Sequence, residues 1–230
     1  MAMVRVGLAM LQGARHEHVQ ALSVASKQLG LDVEIVELRT GGQVDNRLDC
    51  LVLPGGESTA MRKASQSESL LSALFSWMEE HPQRPVLGTC AGAILLANPD
   101  DNNRSFLRAE ISRNAWGRQR DSFEANVSLS LETPAGSEFS SHKASRDQFN
   151  HQPLPVSEIS EVEHETLFPG VFIRAPRFVQ SSIDCTPVAF LGEEIVGVLD
   201  GQCLALTFHP ELTNDYRFHR WLLHQSLLTN

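Results

Sequence analysis

The chain has 230 residues, 42% hydrophobic and 20% charged, and 28 acidic against 19 basic side chains give it a formal charge of −9. That length suffices for a sizeable core in one domain, 1–230, and an acidic balance with no basic block argues against a nucleic-acid partner. No apolar run approaches the roughly 20 residues of a membrane span, the first ten residues lack the order of a secretory signal, and four cysteines without a C-x-x-C pair provide neither a disulfide framework nor zinc-ligand spacing.

A cytosolic protein is therefore expected, with no membrane partner. Val4 to Met10 reads as a first strand. The loop Leu11-Gln12-Gly13 leads into a helix of about 16 residues, with Val19, Leu22, Ala25 and Leu29 at helical spacing and Gly30 to stop it. His16 and His18 lie two apart on that helix and point to different faces, which offers no shared metal position. Val33 to Leu38 is the second strand. Asp49 to Leu53 is a short buried one that ends at Pro54-Gly55-Gly56. A helix over Ser69 to Met78, a strand over Pro85 to Thr89 and a small apolar helix from Ala91 follow. This alternation is the pattern of βαβ units around a parallel sheet.

After residue 100 the segments shorten. Strands are expected over Phe123 to Leu129, Val171 to Arg174, Val188 to Leu191, Glu194 to Leu199 and Cys203 to Phe208, giving mixed-sheet character. A last helix over about Asp215 to Leu228 offers Trp221, Leu222 and Leu228 for packing. Residues 131–166 are rich in serine, glutamate and proline, and read as a mobile surface insertion.

Gly88-Thr-Cys-Ala-Gly92 stands between an apolar strand and an apolar helix. Glycines two positions either side of a cysteine permit the sharp strand-to-helix turn of a nucleophile elbow. Cys90 would then sit at a helix N-terminus, where free amides and the dipole favour a thiolate. An inert buried cysteine is the alternative. Cys50 and Cys203 read as core, and Cys185 stays unassigned.

A cysteine nucleophile needs a base, and nine histidines compete for that role. His209 ends an apolar strand and precedes Pro210. Glu211 lies two residues on, and extended geometry would project it to the same side as the imidazole. Alone, H-P-E is a weak signal and better read as a solvated strand end; beside the Cys90 elbow it reads as base and orienting carboxylate. Leu53-Pro-Gly-Gly-Glu-Ser-Thr59 ends a neighbouring strand, so its glycines bring backbone amides to a developing oxyanion. Capping of the next helix accounts for at least one of Glu57, Ser58 and Thr59. The G-x-x-x-x-G-K-[ST] phosphate loop is absent, as is G-x-G-x-x-G after the first strand.

Together these residues resemble the triad-type (class I) glutamine amidotransferases, and within them the glutaminase subunits of pyridoxal 5′-phosphate synthase. Beyond the motifs above, the likeness rests on Leu11-Gln-Gly-Ala14 with Glu17-His18, Arg113-Asn114, Gly117-Arg-Gln119, Asp121-Ser-Phe-Glu124, Phe172-Ile-Arg-Ala-Pro176 and Phe208-His-Pro-Glu-Leu-Thr213. It implies a flavodoxin-like three-layer αβα sandwich on a mostly parallel sheet. It also implies L-glutamine hydrolysis through a Cys90, His209 and Glu211 triad and a thioester. Carried over by position, Gly56, Glu57, Ser58, Arg113, Ile173 and Arg174 would bind glutamine, and the amides of Gly56 and Ala91 would form the oxyanion hole. Gln12 lies where the family rearranges on docking a (β/α)8 synthase subunit that receives the ammonia. No cofactor or metal is implied. Ser112 stands where the family commonly has an acidic residue, and residues 131–166 resemble the longer eukaryotic members. A glutaminase of another pathway, or a non-catalytic regulatory module of the same fold, are the competing readings.

Overall fold

The computed structural model describes residues 3–99, 104–113, 122–137 and 166–229. The first half alternates strand and helix: β1 (Val4–Ala9), α1 (Arg15–Leu29), β2 (Val33–Leu38), β3 (Cys50–Leu53), α2 (Ser58–Ser65), α3 (Leu70–Glu80), β4 (Val86–Thr89) and α4 (Ala91–Ala97). Strands dominate the second half: β5 (Ile111–Ser112), β6 (Ser122–Leu129), β7 (Leu167–Ile173), β8 (Arg177–Phe178), β9 (Thr186–Leu191), β10 (Glu194–Asp200) and β11 (Cys203–Leu206), closed by α5 (Arg217–Leu228). Gly30 stops α1 in the left-handed conformation, φ 64°, and its amide reaches back to the helix carbonyls.

Among the described residues, nine strands form one sheet in the order β2-β1-β3-β4-β11-β10-β9-β6-β7, and β5 pairs with β8 alone. The ladders from β2 to β11 are parallel. Those from β11 to β7 are antiparallel, so among the nine only β10 and β6 oppose the common direction. The expected α/β class with a mostly parallel central sheet is what forms, and it gathers most strand ends on one carboxyl edge.

Strict alternation builds the three layers. On β3, Cys50 and Val52 face α1 and α5 together with Val6 and Leu8 of β1 and Leu204 and Leu206 of β11. Leu51 and Leu53 face the other way, onto Met61 of α2, Leu74 and Phe75 of α3, and Leu95 and Leu96 of α4. Both faces of β3 are thus dry, all four of its residues being fully buried, and burial of a leucine side chain is worth about 2 kcal/mol. Leu228 is not part of either layer: the last turn of α5 leaves it 65% exposed, contrary to the helical spacing that offered it for packing.

The expected insertion at 131–166 lies outside the described residues except for 131–137 and Thr166. Its described ends are moored where β6 and β7 finish and start. Leu129 donates its amide to the Thr166 carbonyl, Ser137 to that of Gln28 at the end of α1, and the buried Arg220 donates to Pro134 O and Gln28 Oε1.

Candidate active site

The carboxyl ends of β4, β11, β3 and β7 meet at one edge, and each delivers one part of the site. From β4 the chain enters α4 through Cys90, whose φ of 48° and ψ of −104° are rare for any residue with a side chain. The turn is closed by Cys90 N–H donating to Leu206 O at 2.8 Å, which ties it to β11. Tight packing behind it demands Gly92, where a Cβ would fall 1.9 Å from the Leu53 carbonyl oxygen. These are the features expected of a nucleophile elbow. Cys90 Sγ faces the Ile173 carbonyl at 3.9 Å.

From β11 the chain bends through Thr207 and Phe208 to His209. Phe208 is wedged among Phe168, Phe172 and Phe218, with ring centroids 5.5 to 5.7 Å away. The His209 amide donates to Val171 O of β7 at 2.8 Å, so backbone and neighbour are both fixed. Its Nδ1 lies 2.7 Å from Glu211 Oε1, and the thiol of Cys90 is close enough to the ring to favour its charged form. Glu211 does not reach this place by extended alternation. Pro210–Leu212 is a single 3-10 turn, begun by a proline that suits a first helical position, and the turn swings the carboxylate back under the ring.

Cys90 and His209 are each 6% exposed, and Glu211 is 5% exposed, so charges here interact with little water between them. Burial opposes a charged His209, but the Glu211 carboxylate, the nearby Cys90 thiol and the hydrogen bond to Glu211 outweigh it and hold the imidazole well above its ordinary range. Burial likewise opposes ionised Glu211. The facing imidazoles of His18 and His209 reverse that and bring the carboxyl down to about 2.

Two further histidines converge here that the sequence reading left without a role. His18 of α1, fully buried, has Nε2 3.4 Å from Glu211 Oε2 and 3.2 Å from Thr89 Oγ1. Its Nδ1 is 3.0 Å from His219 Nε2 of α5, also fully buried. Burial lowers both, His219 to about 3, so both are neutral at pH 7. A signal was available: His18 lies on one helical face with Ala21, Leu22 and Ala25, and His219 stands among Phe218, Leu222 and Leu223. Histidines inside two apolar stripes are out of place unless they meet. His16, by contrast, is on the exposed side of α1.

β3 ends in Pro54-Gly55-Gly56, and Gly55 passes so close that a Cβ would sit 2.3 Å from His209 Cε1 and 3.3 Å from Cys90 Cβ. Gly56 follows, exposed, against the backbone of Gln12. Ala91, the first residue of α4, has an amide with no acceptor inside the helix. Glu57 caps α2, its two carboxylate oxygens accepting from Thr59 and Ala60 at 2.8 and 2.7 Å, and those amides lower its pKa. Ser58 is buried at the start of α2. Arg113, exposed after β5, reaches Thr59 Oγ1 at 3.4 Å. Ile173 ends β7, and Arg174 beside it is exposed with φ 44°. Every residue assigned to the site therefore stands on or beside this edge. Asn114 and the Gly117 to Asp121 part of the motif run lie outside the described residues. Ser112 pairs with Arg177 in the β5–β8 ladder. Among the described residues, no group of three His, Cys, Asp or Glu side chains is placed to hold a metal, and no helix is long and apolar enough to cross a membrane.

The model of the SNO glutamine amidotransferase family matches residues 8–140 and 143–228. The chain is 38% identical to the pyridoxal 5′-phosphate synthase subunit PdxT of Thermococcus onnurineus, over 98% of the chain and 100% of that protein. It is 36% identical to the PdxT subunit of Thermococcus gammatolerans over the same shares. A crystal structure described as a glutamine amidotransferase superimposes with a TM-score of 0.68 at 32% identity, covering 96% of this chain and 98% of the other.

Proposed function

Because the chain belongs to the SNO glutamine amidotransferase family, we propose that it is the glutaminase subunit of a pyridoxal 5′-phosphate synthase, working through a Cys90, His209 and Glu211 triad. Two PdxT relatives that align along their whole length support the pathway. The observation that carries the chemistry is Cys90 on its strained turn, packed with His209 against Gly55, the imidazole being held by Glu211 at 2.7 Å.

Cys90 sulfur attacks the side-chain amide carbon of L-glutamine, while His209 holds the thiol proton. The oxygen that becomes negative is met by the amides of Gly56 and Ala91, each worth about 3 kcal/mol in such a role. As the tetrahedral centre collapses, His209 passes the proton to the departing nitrogen, leaving ammonia and a Cys90 thioester. One water then attacks the thioester with His209 as base, and glutamate leaves with the thiol restored. Glu211 keeps the ring in one orientation and offsets its positive charge throughout.

Arg113 and Arg174 flank this edge with guanidinium groups that suit the substrate's α-carboxylate. Glu57, with its carboxylate committed to the cap, would contribute its backbone, as would Ile173, and Ser58 its position at the start of α2. Gln12, against Gly56, would link the oxyanion loop to a docked synthase barrel. That partner receives ammonia directly, before water protonates it. The test is glutamate release with and without the synthase subunit. Activity that rises with the partner and vanishes in Cys90→Ala supports the reading; Cys90→Ala at wild-type activity refutes it.

A further inference from the structure

We infer that His18, held in one tautomer by His219, is a positioning residue for this reaction, its Nε2–H serving the second oxygen of Glu211 from behind the triad. The inference rests on the triad reading above and extends it to two side chains that the bond-making steps do not use.

Counting partners fixes the proton positions. The Glu211 side chain is fully buried and has Oε1 occupied by His209, whereas among the described residues Oε2 has no full hydrogen bond, and the His18 Nε2 at 3.4 Å is the ionisable group set against it. A buried carboxylate with an oxygen left alone is costly. Among the described residues, His219 Nδ1 also finds no partner, although it is buried. If His18 carried its proton on Nδ1, it would donate to His219 Nε2. His219 would then need its proton on the orphaned Nδ1, and Glu211 Oε2 would face a lone pair. With the opposite choice, His219 Nε2–H donates to His18 Nδ1, and His18 Nε2–H lies between Thr89 Oγ1 and Glu211 Oε2. That arrangement leaves one neutral acceptor unpaired and the charge served.

Among the described residues, no other charge on the packed elements takes over this task. Glu17, next to His18 on α1, is a like charge to Glu211, and Arg15 donates to Met10 O. On α5, Arg217 chelates Asp215, and Arg220 reaches away to Gln28 and Pro134. His209 serves Oε1, Cys90 lies beyond it, and Thr89 supplies a hydroxyl. An apolar pair would fill the space of His18 and His219 without the orphan nitrogen. Their presence against the carboxylate therefore points to a role in holding Glu211 ionised and its plane fixed, which sets how readily His209 carries the proton.

The test is the pH dependence of kcat/KM for glutamine hydrolysis, with the synthase subunit present, in wild type, His18→Leu and His18→Gln, with Cys90→Ala as the blank. His18→Leu removes the donor, so the acid limb should move up by about one pH unit or more, the size of a lost hydrogen bond to a charge. kcat at neutral pH should fall about tenfold or more while KM stays within about twofold, as for an interaction acting on the transition state. His18→Gln, whose amide can donate to Oε2, should restore most of the limb. A wild-type profile in His18→Leu, or equal effects of leucine and glutamine, would overturn the inference. Should the leucine variant not fold, nitrogen-15 spectra of the wild-type imidazoles decide: His18 protonated on Nε2 supports it, on Nδ1 overturns it. An inactive Cys90→Ala beside an unchanged His18→Leu profile removes the role of His18 alone; an active Cys90→Ala removes the triad itself.

Discussion

Gly55→Ala is a one-carbon change that should disable the site while leaving the fold. The new Cβ would stand 2.3 Å from His209 Cε1 and 2.9 Å from Nδ1, so the ring would have to retreat by about 1 Å to reach ordinary contact. Neither side can give easily. The ring is tied to Glu211 at 2.7 Å, and its backbone to Val171 at 2.8 Å. The loop is backed by Gly13, whose own missing Cβ position lies 1.7 Å from the Gly55 carbonyl oxygen, so the two backbones are already in close contact. Overpacking of this kind destabilises by about 1 to 3 kcal/mol, which a protein of this size can survive. A misplacement of about 1 Å between nucleophile and base costs on the order of a hundredfold in rate. Glutamate release in the presence of the synthase subunit, beside a thermal melt, reads both numbers. A variant that melts within a few degrees of wild type and keeps more than a third of its activity would refute the claim that Gly55 clears space for the base.

Further expectations concern stability. Gly92→Ala would push a Cβ into the backbone of Leu53, so it should lower stability by about 3 kcal/mol or more and reduce soluble yield; a melt within two or so degrees of wild type contradicts this. His219, lowered from 6.5 to about 3 by burial, binds its proton more weakly folded than unfolded. Its contribution is complete above pH 6.5 and is lost as pH falls toward 3, by roughly 1.4 kcal/mol per pH unit. Glu211, lowered to about 2, adds a loss in the same sense below pH 4.5, while raised His209 works oppositely, its share fading as pH rises above 6.5. Denaturant melts of wild type and His219→Phe between pH 7 and 4 should show a shallower pH dependence in the variant, and parallel curves would contradict the assignment. Arg220→Ala removes donors to Gln28 and Pro134 from a fully buried site and should destabilise by about 2 to 4 kcal/mol, with kcat unchanged, as activity below the melt would show.

What could be read before any coordinates was whatever a local constraint dictates. The Cys90 elbow was legible because two glycines at fixed spacing answer one steric demand, and β3 and β11 because each is a continuous apolar run between turn residues. His209 and Glu211 were legible as a pair, although a turn rather than a strand aligns them. His18 and His219 escaped because their meaning lies in a contact between residues 201 positions apart, which no local period encodes. The β5–β8 ladder of two residues a side is too short to leave a periodic trace. The cap at Glu57 was foreseen among three candidates, and geometry selected the one whose carboxylate reaches two amides.

The β6–β7 hairpin has two ends with different duties. Ser122 pairs with Ile173 at the catalytic edge and Ser128 with Leu167 at the other, about 20 Å away at the usual rise per residue. The strand that shapes the wall of the active site is thus the same strand whose far end receives the chain from residues 131–166. Among the described residues, a full ladder of backbone hydrogen bonds separates that far end from the chemistry. A displacement at the Ser128–Leu167 rung must pass through five further rungs, from Val127–Phe168 to Phe123–Phe172, before it meets Ile173 at the wall of the site.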